Sequence, residues 1–157
     1  MQELTTKQFG DAVEHLVIGR LGLAAIPATK MPDCWPGYDL IAQIPDNDRP
    51  LRISVKGLRA GNGKPAGFWY FTPGGCDWLV FVRYNTETDT LRCYLLPHDK
   101  AVELSAPATD GRRRLLCNHV GLQPYADNFR LAVQPDCPAA SNIDKSGALN
   151  PEPVFEQ

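Results

Sequence analysis

The stretch Gly37-Tyr38-Asp39-Leu40-Ile41-Ala42-Gln43-Ile44 and, after a six-residue break, Leu51-Arg52-Ile53-Ser54-Val55-Lys56-Gly57 decides how this chain folds. Leu40, Ala42 and Ile44 alternate with Asp39, Ile41 and Gln43, and Ile53 and Val55 alternate with Arg52, Ser54 and Lys56. A period of two is the mark of half-buried strands, so the two segments are expected to form one hairpin. Between them Pro45-Asp46-Asn47-Asp48-Arg49-Pro50 is turn chemistry. Pairing symmetrical about that turn sets Ile44 against Leu51 and Asp39 against Lys56. A carboxylate and an amine are then side by side at the open end of the hairpin. As an ordinary cross-strand ion pair they contribute at most about 1 kcal/mol if exposed.

Upstream, Thr5-Thr6-Lys7-Gln8 has capping-box spacing, and Phe9, Ala12, Val13, Leu16, Val17 and Leu21 continue at helical spacing until Gly22. At 100° per residue these positions form one broad face, with Glu14 at its edge. Glu14 is a solvated helix carboxylate or a group looking along the buried side. Leu23 to Ile26 is a candidate for a short extended piece, and the segment from Pro27 to Pro36 is expected to be a loop.

Downstream of Lys56, residues 57–67 are rich in glycine and carry Arg59 and Lys64, which makes this segment a phosphate-contacting loop or a plain connector. Its glycines match neither a Walker nor a dinucleotide fingerprint. Phe68-Trp69-Tyr70-Phe71 is a short strand, more often core than a base-stacking platform. Trp78 to Tyr84 has the composition of a central strand buried on both faces, Leu91 to Leu96 that of its antiparallel neighbour, and Pro97 to Leu104 holds a short helix. The basic run Arg112-Arg113-Arg114 is a solvated edge or a phosphate contact. Leu122 to Phe129 is a weak helix candidate.

The chain has 157 residues, 43% hydrophobic and 22% charged, which suits one soluble domain with a proper core. That domain is expected over residues 1–132, with 133–157 an acidic, flexible Pro/Ala/Ser/Asn tail. No stretch approaches a membrane span, and the start lacks the layout of a secretory signal. Five scattered cysteines without a Cys-x-x-Cys pair favour free thiols and a cytoplasmic location. The net charge of -2 argues against strong non-specific attraction to phosphate, although a basic stripe on one face still binds. No histidine shows metal-ligand spacing, and no Gly-x-Ser-x-Gly or Cys/His pairing points to a protein nucleophile.

A helix with Glu14, a strand with Asp39, a turn and then a strand ending Ser54-Val55-Lys56-Gly57 is an order that resembles the PD-(D/E)XK nuclease superfamily. Its restriction-endonuclease-like fold includes archaeal Holliday-junction resolvases and small homing or restriction enzymes. The match runs from about Gly10 to Pro97. The resemblance implies an α/β three-layer core with a mixed central sheet flanked by helices. It implies a metal-dependent DNA endonuclease with Glu14, Asp39 and Lys56 catalytic. DNA is the expected partner, with RNA open as the other substrate, and a homodimer is expected for double-strand cutting. Arg59, Lys64, Arg112, Arg113 and Arg114 would contact nucleic acid.

Phosphodiester hydrolysis explains the residue types. A hard divalent cation, Mg²⁺ or Mn²⁺, neutralises charge on the phosphate and activates water, and it prefers oxygen ligands. A lysine beside it stabilises the developing charge. The departure is Ser54, where the superfamily usually places a carboxylate. Three alternatives stay open. Asp39 and Glu14 hold the ion with the backbone carbonyl of Val55 and waters; or Asp33 or Asp77 substitutes; or the metal site is lost and the protein is a catalytically degenerate nuclease fold that binds nucleic acid or a protein partner.

Overall fold

The computed structural model describes residues 4–61 and 67–133. Lys64 and residues 134–157, nearly all of the expected tail, lie outside the described residues.

The first element, α1 (Thr6–Leu23), starts where the capping box predicts. Thr5 Oγ1 accepts from the Gln8 amide at 3.2 Å, and Gln8 Oε1 accepts from the Thr5 amide at 2.9 Å. Gly22 does not stop the helix. It ends one residue later, with Ala25 in the left-handed conformation at φ 63°.

A strand then appears where a loop is expected. β1 (Ala28–Lys30) pairs antiparallel with β2 (Leu40–Ala42), which pairs antiparallel with β3 (Leu51–Ala60). β4 (Phe68–Phe71) leaves this sheet. β5 (Trp78–Asn85) returns to run parallel to β3, and β6 (Thr90–Pro97) closes antiparallel against β5. The main sheet is therefore mixed, in the order β1-β2-β3-β5-β6. α2 (His98–Leu104) follows Pro97 directly. The strands β7 (Ala106–Pro107) and β8 (Arg113–Leu116) join β4 in a second sheet of order β4-β8-β7, and a 3-10 turn spans Val120–Tyr125 in place of the expected helix.

Two cores lie on either side of the main sheet, and β5 feeds both. Trp78, Val80 and Val82 pack toward α1 with Val13, Val17, Leu21 and Ile53. Leu79 and Phe81 face the other way, onto Trp69, Phe71, Leu115 and Leu122. Alternation along one strand thus accounts for an almost continuous apolar run. Each buried aromatic contributes on the order of 1.5–3 kcal/mol, which fixes β4 and β8 as the third layer. That layer is part sheet and part helix, not helices alone.

Gly57 lets α1 lie close to β3. A Cβ there would stand 2.7 Å from Phe9 Cε1 and 3.2 Å from Val13 Cγ2. α1 approaches β3 closely at Phe9 and Val13 because position 57 has no side chain.

Candidate active site

The hairpin register differs from the symmetrical expectation by two residues. Leu40 pairs with Ile53 and Ala42 with Leu51, so Asp39 stands opposite Ser54 and not Lys56. β2 ends at Ala42, and the turn takes up residues 43–50, with the Gln43 side chain donating to the carbonyls of Ile44 and Asn47 and Asp46 at φ 66°. A two-residue shift preserves which face each side chain occupies. Lys56 is therefore a diagonal neighbour of Asp39 on the same face.

Asp39 is held by three consecutive residues of β3. Its Oδ2 accepts from Ser54 Oγ at 3.0 Å and from the Val55 amide at 2.6 Å, and Lys56 Nζ stands 4.0 Å away. The Asp39 amide donates to Ile53 O at 2.9 Å. Ser54, only 6% exposed, is the one buried polar residue among the described residues, and its hydroxyl is satisfied by this carboxylate. Ser54 therefore orients the acid. All three β3 contacts fall on Oδ2.

Asp39 lies on the rim between two clefts. The first is also lined by Asp11, Glu14, Asp33, Lys7 and Lys30. In it Lys30 Nζ bonds Asp11 Oδ1, lies 2.9 Å from Glu14 Oε2 and 3.4 Å from Asp33 Oδ1, while Lys7 reaches Asp11 at 3.0 Å and Asp33 at 2.7 Å. Pairing with the carboxylate of Asp11 first and of Glu14 second holds the Lys30 ammonium well above the usual lysine range. The two lysines hold Asp11 and Asp33 below the ordinary carboxylate range, through hydrogen bonds from Lys30 first at Asp11 and from Lys7 first at Asp33. The second cleft contains Lys56 and Ser54, with Trp35, Thr72 and Gly75. Its floor is the close approach of Gly37 and Gly75, at φ 89° and 80°. A Cβ on Gly75 would lie 3.0 Å from Gly37 Cα.

The expected catalytic residues are thus joined through Asp39. Glu14 shares the first cleft with it, and Lys56 shares the second. Of the two substitute carboxylates, Asp33 lines the first cleft. Asp77 does not. Arg49 and Arg52 grip it at 3.1 Å and 3.2 Å, and the Arg52 amide donates at 2.9 Å. Burial pushes its carboxyl up, but the two guanidiniums and that amide outweigh it and hold the group far below the usual range. This is a structural bridge.

Among the described residues no three His, Cys, Asp or Glu side chains gather as a ready metal cage. Glu14 and Asp39 nevertheless suit a hard cation that keeps most of its water. Both are oxygen donors on one cleft, and buried Glu14 Oε2 accepts no hydrogen bond despite its approach to Lys30. Val55 sits within β3 with its amide committed to Asp39.

The basic residues divide in two. Arg59 donates to the carbonyls of Leu4 and Thr5 at 2.8 Å and 3.0 Å, with its guanidinium 4.6 Å from the Phe9 ring centroid, so it clamps the start of α1. Arg113 donates to Ser105 Oγ and to the carbonyls of Val102 and Ser105, closing the end of α2. Arg112 and Arg114 are exposed beside Tyr70 and Phe68. Two residues of the first cleft, Asp11 and Lys30, are not singled out by sequence reasoning. Asp11 carries a signal, its three-residue spacing from Glu14 on one helix face. Lys30 carries none, because β1 is too short to show alternation.

No protein-family model and no curated protein sequence matches the chain. Among solved structures, it is similar to a bacterial homing endonuclease, I-Ssp6803I, at TM-score 0.57 and 18% identity, over 82% of this chain and 91% of that one. A Holliday junction resolvase, Hjc from Archaeoglobus fulgidus, matches at TM-score 0.44 and 12% identity over 74% of this chain and 96% of that one. With the mixed five-stranded sheet and the homing-endonuclease superposition in agreement, the protein has the restriction-endonuclease-like fold.

Proposed function

We propose that this protein is a metal-dependent endonuclease that hydrolyses phosphodiester bonds in DNA, with Glu14, Asp39 and Lys56 as its working residues. The observation that carries this reading is the Asp39 carboxylate, held by Ser54, Val55 and Lys56 on a rim it shares with Glu14. Asp39 and Glu14, with the Val55 carbonyl, would hold Mg²⁺ or Mn²⁺. When bound, such an ion neutralises phosphate charge and makes water acidic enough to attack. Lys56 contributes a fixed positive charge. About one third exposed, it can face both Asp39 and a phosphate oxygen, where its field stabilises charge that grows as the new P–O bond forms. Ser54 keeps Asp39 in place and supplies no charge.

DNA is the assigned substrate, with RNA tested beside it. A chain of this size spans little duplex, so double-strand cutting calls for a homodimer. The cysteines in the described residues are free, which accords with a reducing compartment such as the cytoplasm.

One observation favours a second reading. Lys30 already places an ammonium between Asp11, Glu14 and Asp33, so the first cleft has a cation of its own. On that reading the protein binds nucleic acid or a protein partner without cutting. Nicking of supercoiled plasmid in Mg²⁺ or Mn²⁺ separates the two. The nuclease reading expects nicking by wild type and its loss in Asp39→Ala and Lys56→Ala. It is wrong if neither metal supports cleavage of DNA or RNA, or if Lys56→Ala cuts as wild type does. Calorimetric titration with Mg²⁺ distinguishes them without a substrate, since the nuclease reading expects wild type to bind the ion and Asp39→Ala to lose that binding.

A further inference from the structure

The second sheet turns an unusual face to solvent. Along β4 the inward residues Trp69 and Phe71 are buried and anchor the strand. The outward residues Phe68 and Tyr70 are also aromatic, yet they are 38% and 41% exposed with ring centroids 6.5 Å apart. Their burial contributes little to the fold. On neighbouring β8, Arg114 pairs with Tyr70 in register, and its guanidinium stands 5.4 Å from the Phe68 centroid. The Arg112 guanidinium stands 4.9 Å from the Tyr70 centroid. The result is a ladder in which ring and guanidinium alternate. Asp110 neutralises part of it, bonding Arg112 Nε at 2.7 Å, whereas no carboxylate among the described residues pairs with Arg114.

The ladder leads to the candidate active site. Strand alternation makes Thr72 the next outward position after Tyr70, about 7 Å further along. Thr72 is exposed and lines the second cleft with Asp39, Ser54 and Lys56. A polymer lying along the outer face of β4 would therefore run into that cleft.

We infer that this face binds single-stranded nucleic acid, stacking unpaired bases on Phe68 and Tyr70 and engaging phosphates with Arg112 and Arg114. Aromatic rings interleaved with guanidiniums match the two repeating features of such a strand, a π-face and an anionic backbone. Duplex DNA has its base faces covered by their neighbours and offers these rings nothing to stack on. An acidic protein segment would engage the arginines but would leave the rings without a partner. The inference deepens the nuclease reading, on which it rests only for where the strand is delivered. The substrate class it names is DNA with an unpaired segment, such as a flap, gap or branch.

The test is fluorescence anisotropy of the full-length protein with a labelled oligothymidylate and with a matched duplex, in EDTA at low salt. Wild type is expected to bind the single strand more tightly than the duplex. Phe68→Ala and Tyr70→Ala should each weaken single-strand binding by about fivefold to a hundredfold, the range of base stacking on one ring. Tyr70→Trp, which keeps a stacking surface, should bind as wild type does. Arg114→Ala should weaken binding and flatten its dependence on salt. Unchanged circular dichroism confirms that the variants are folded. The inference is overturned if wild type prefers duplex, if it binds no single strand, or if both alanine variants bind as wild type does.

EDTA separates this outcome from the nuclease reading. Tyr70-dependent binding by a protein that never cuts leaves the inference standing and removes the nuclease reading. Cleavage of flapped DNA by both Phe68→Ala and Tyr70→Ala at the wild-type rate, with unchanged binding, does the reverse.

Discussion

Ser54→Ala tests the site at the residue where it departs from the resemblance. The substitution removes one hydroxyl, 6% exposed, that donates to Asp39 Oδ2 at 3.0 Å. A hydrogen bond to a charged group contributes about 1.5–3 kcal/mol. The low end applies, because the Val55 amide still holds the same oxygen at 2.6 Å and Asp39, 29% exposed, can recruit water. Stability is therefore expected to fall by about 1.5 kcal/mol, a few degrees in Tm for a domain of this size. If about 1.4 kcal/mol of Asp39 positioning is also lost at the transition state, plasmid nicking slows roughly tenfold. Ser54 acts through Asp39, so kcat should fall with little change in KM, and Ser54→Thr should restore the rate by returning a hydroxyl. Nicking kinetics at saturating Mg²⁺, beside thermal melts, measure both effects. Wild-type rates in Ser54→Ala would refute the orienting role. A loss as deep as that of Asp39→Ala would also refute it, by showing that the hydroxyl does more than orient.

Three further outcomes follow from the same geometry. Replacing Lys30 with Met removes the ammonium between Asp11, Glu14 and Asp33, so Tm in EDTA should drop and the rise on adding Mg²⁺ should exceed that of wild type. No larger Mg²⁺ effect would mean that Lys30 and the metal do not compete. Asp77→Asn weakens the bridge to Arg49 and Arg52 and should cost about 1–2 kcal/mol near neutrality, the two arginines being exposed, with nicking unchanged. Because the Asp77 carboxyl is held far below 3.8, its stabilisation is complete above that pH and fades as pH falls through the folded value. The wild-type advantage in denaturant melts should therefore shrink only in strong acid, and an advantage that grew there would contradict the assignment. Gly57→Val puts a side chain where Phe9 Cε1 and Val13 Cγ2 already crowd, so about 1–3 kcal/mol of stability should be lost and Glu14 should move off the cleft. Retention of wild-type Mg²⁺ binding by a folded Gly57→Val protein would show that the α1 approach does not set the site.

Local interactions made much of this molecule legible in one dimension. Thr5 and Gln8 cap α1 within a single turn, and β5 shows its two-sided burial by being apolar at nearly every position. Asp39 and Lys56 could be assigned to one face because side-chain parity along a strand survives an error of two residues in register. The order of the elements and the shared face of Asp39 and Lys56 were legible for that reason.

What depended on distance was not. Whether an arginine is free or clamped depends on which carbonyls fold back to meet it, and so Arg59 and Arg113 brace the fold while Arg112 and Arg114 stay at the surface. Asp77 is a bridge and Asp33 a cleft residue for the same reason. Strand periodicity says that a residue faces inward but not toward which layer, so β4 joined a second sheet and exposed two aromatics that composition alone assigns to a core. Patterns between near neighbours in sequence determined the elements and the face of the hairpin that carries Asp39. Only the packing of remote segments decided that Ser54 donates to that acid and that Lys30 sits among its neighbours, because hydrogen-bond and charge partners are chosen in space.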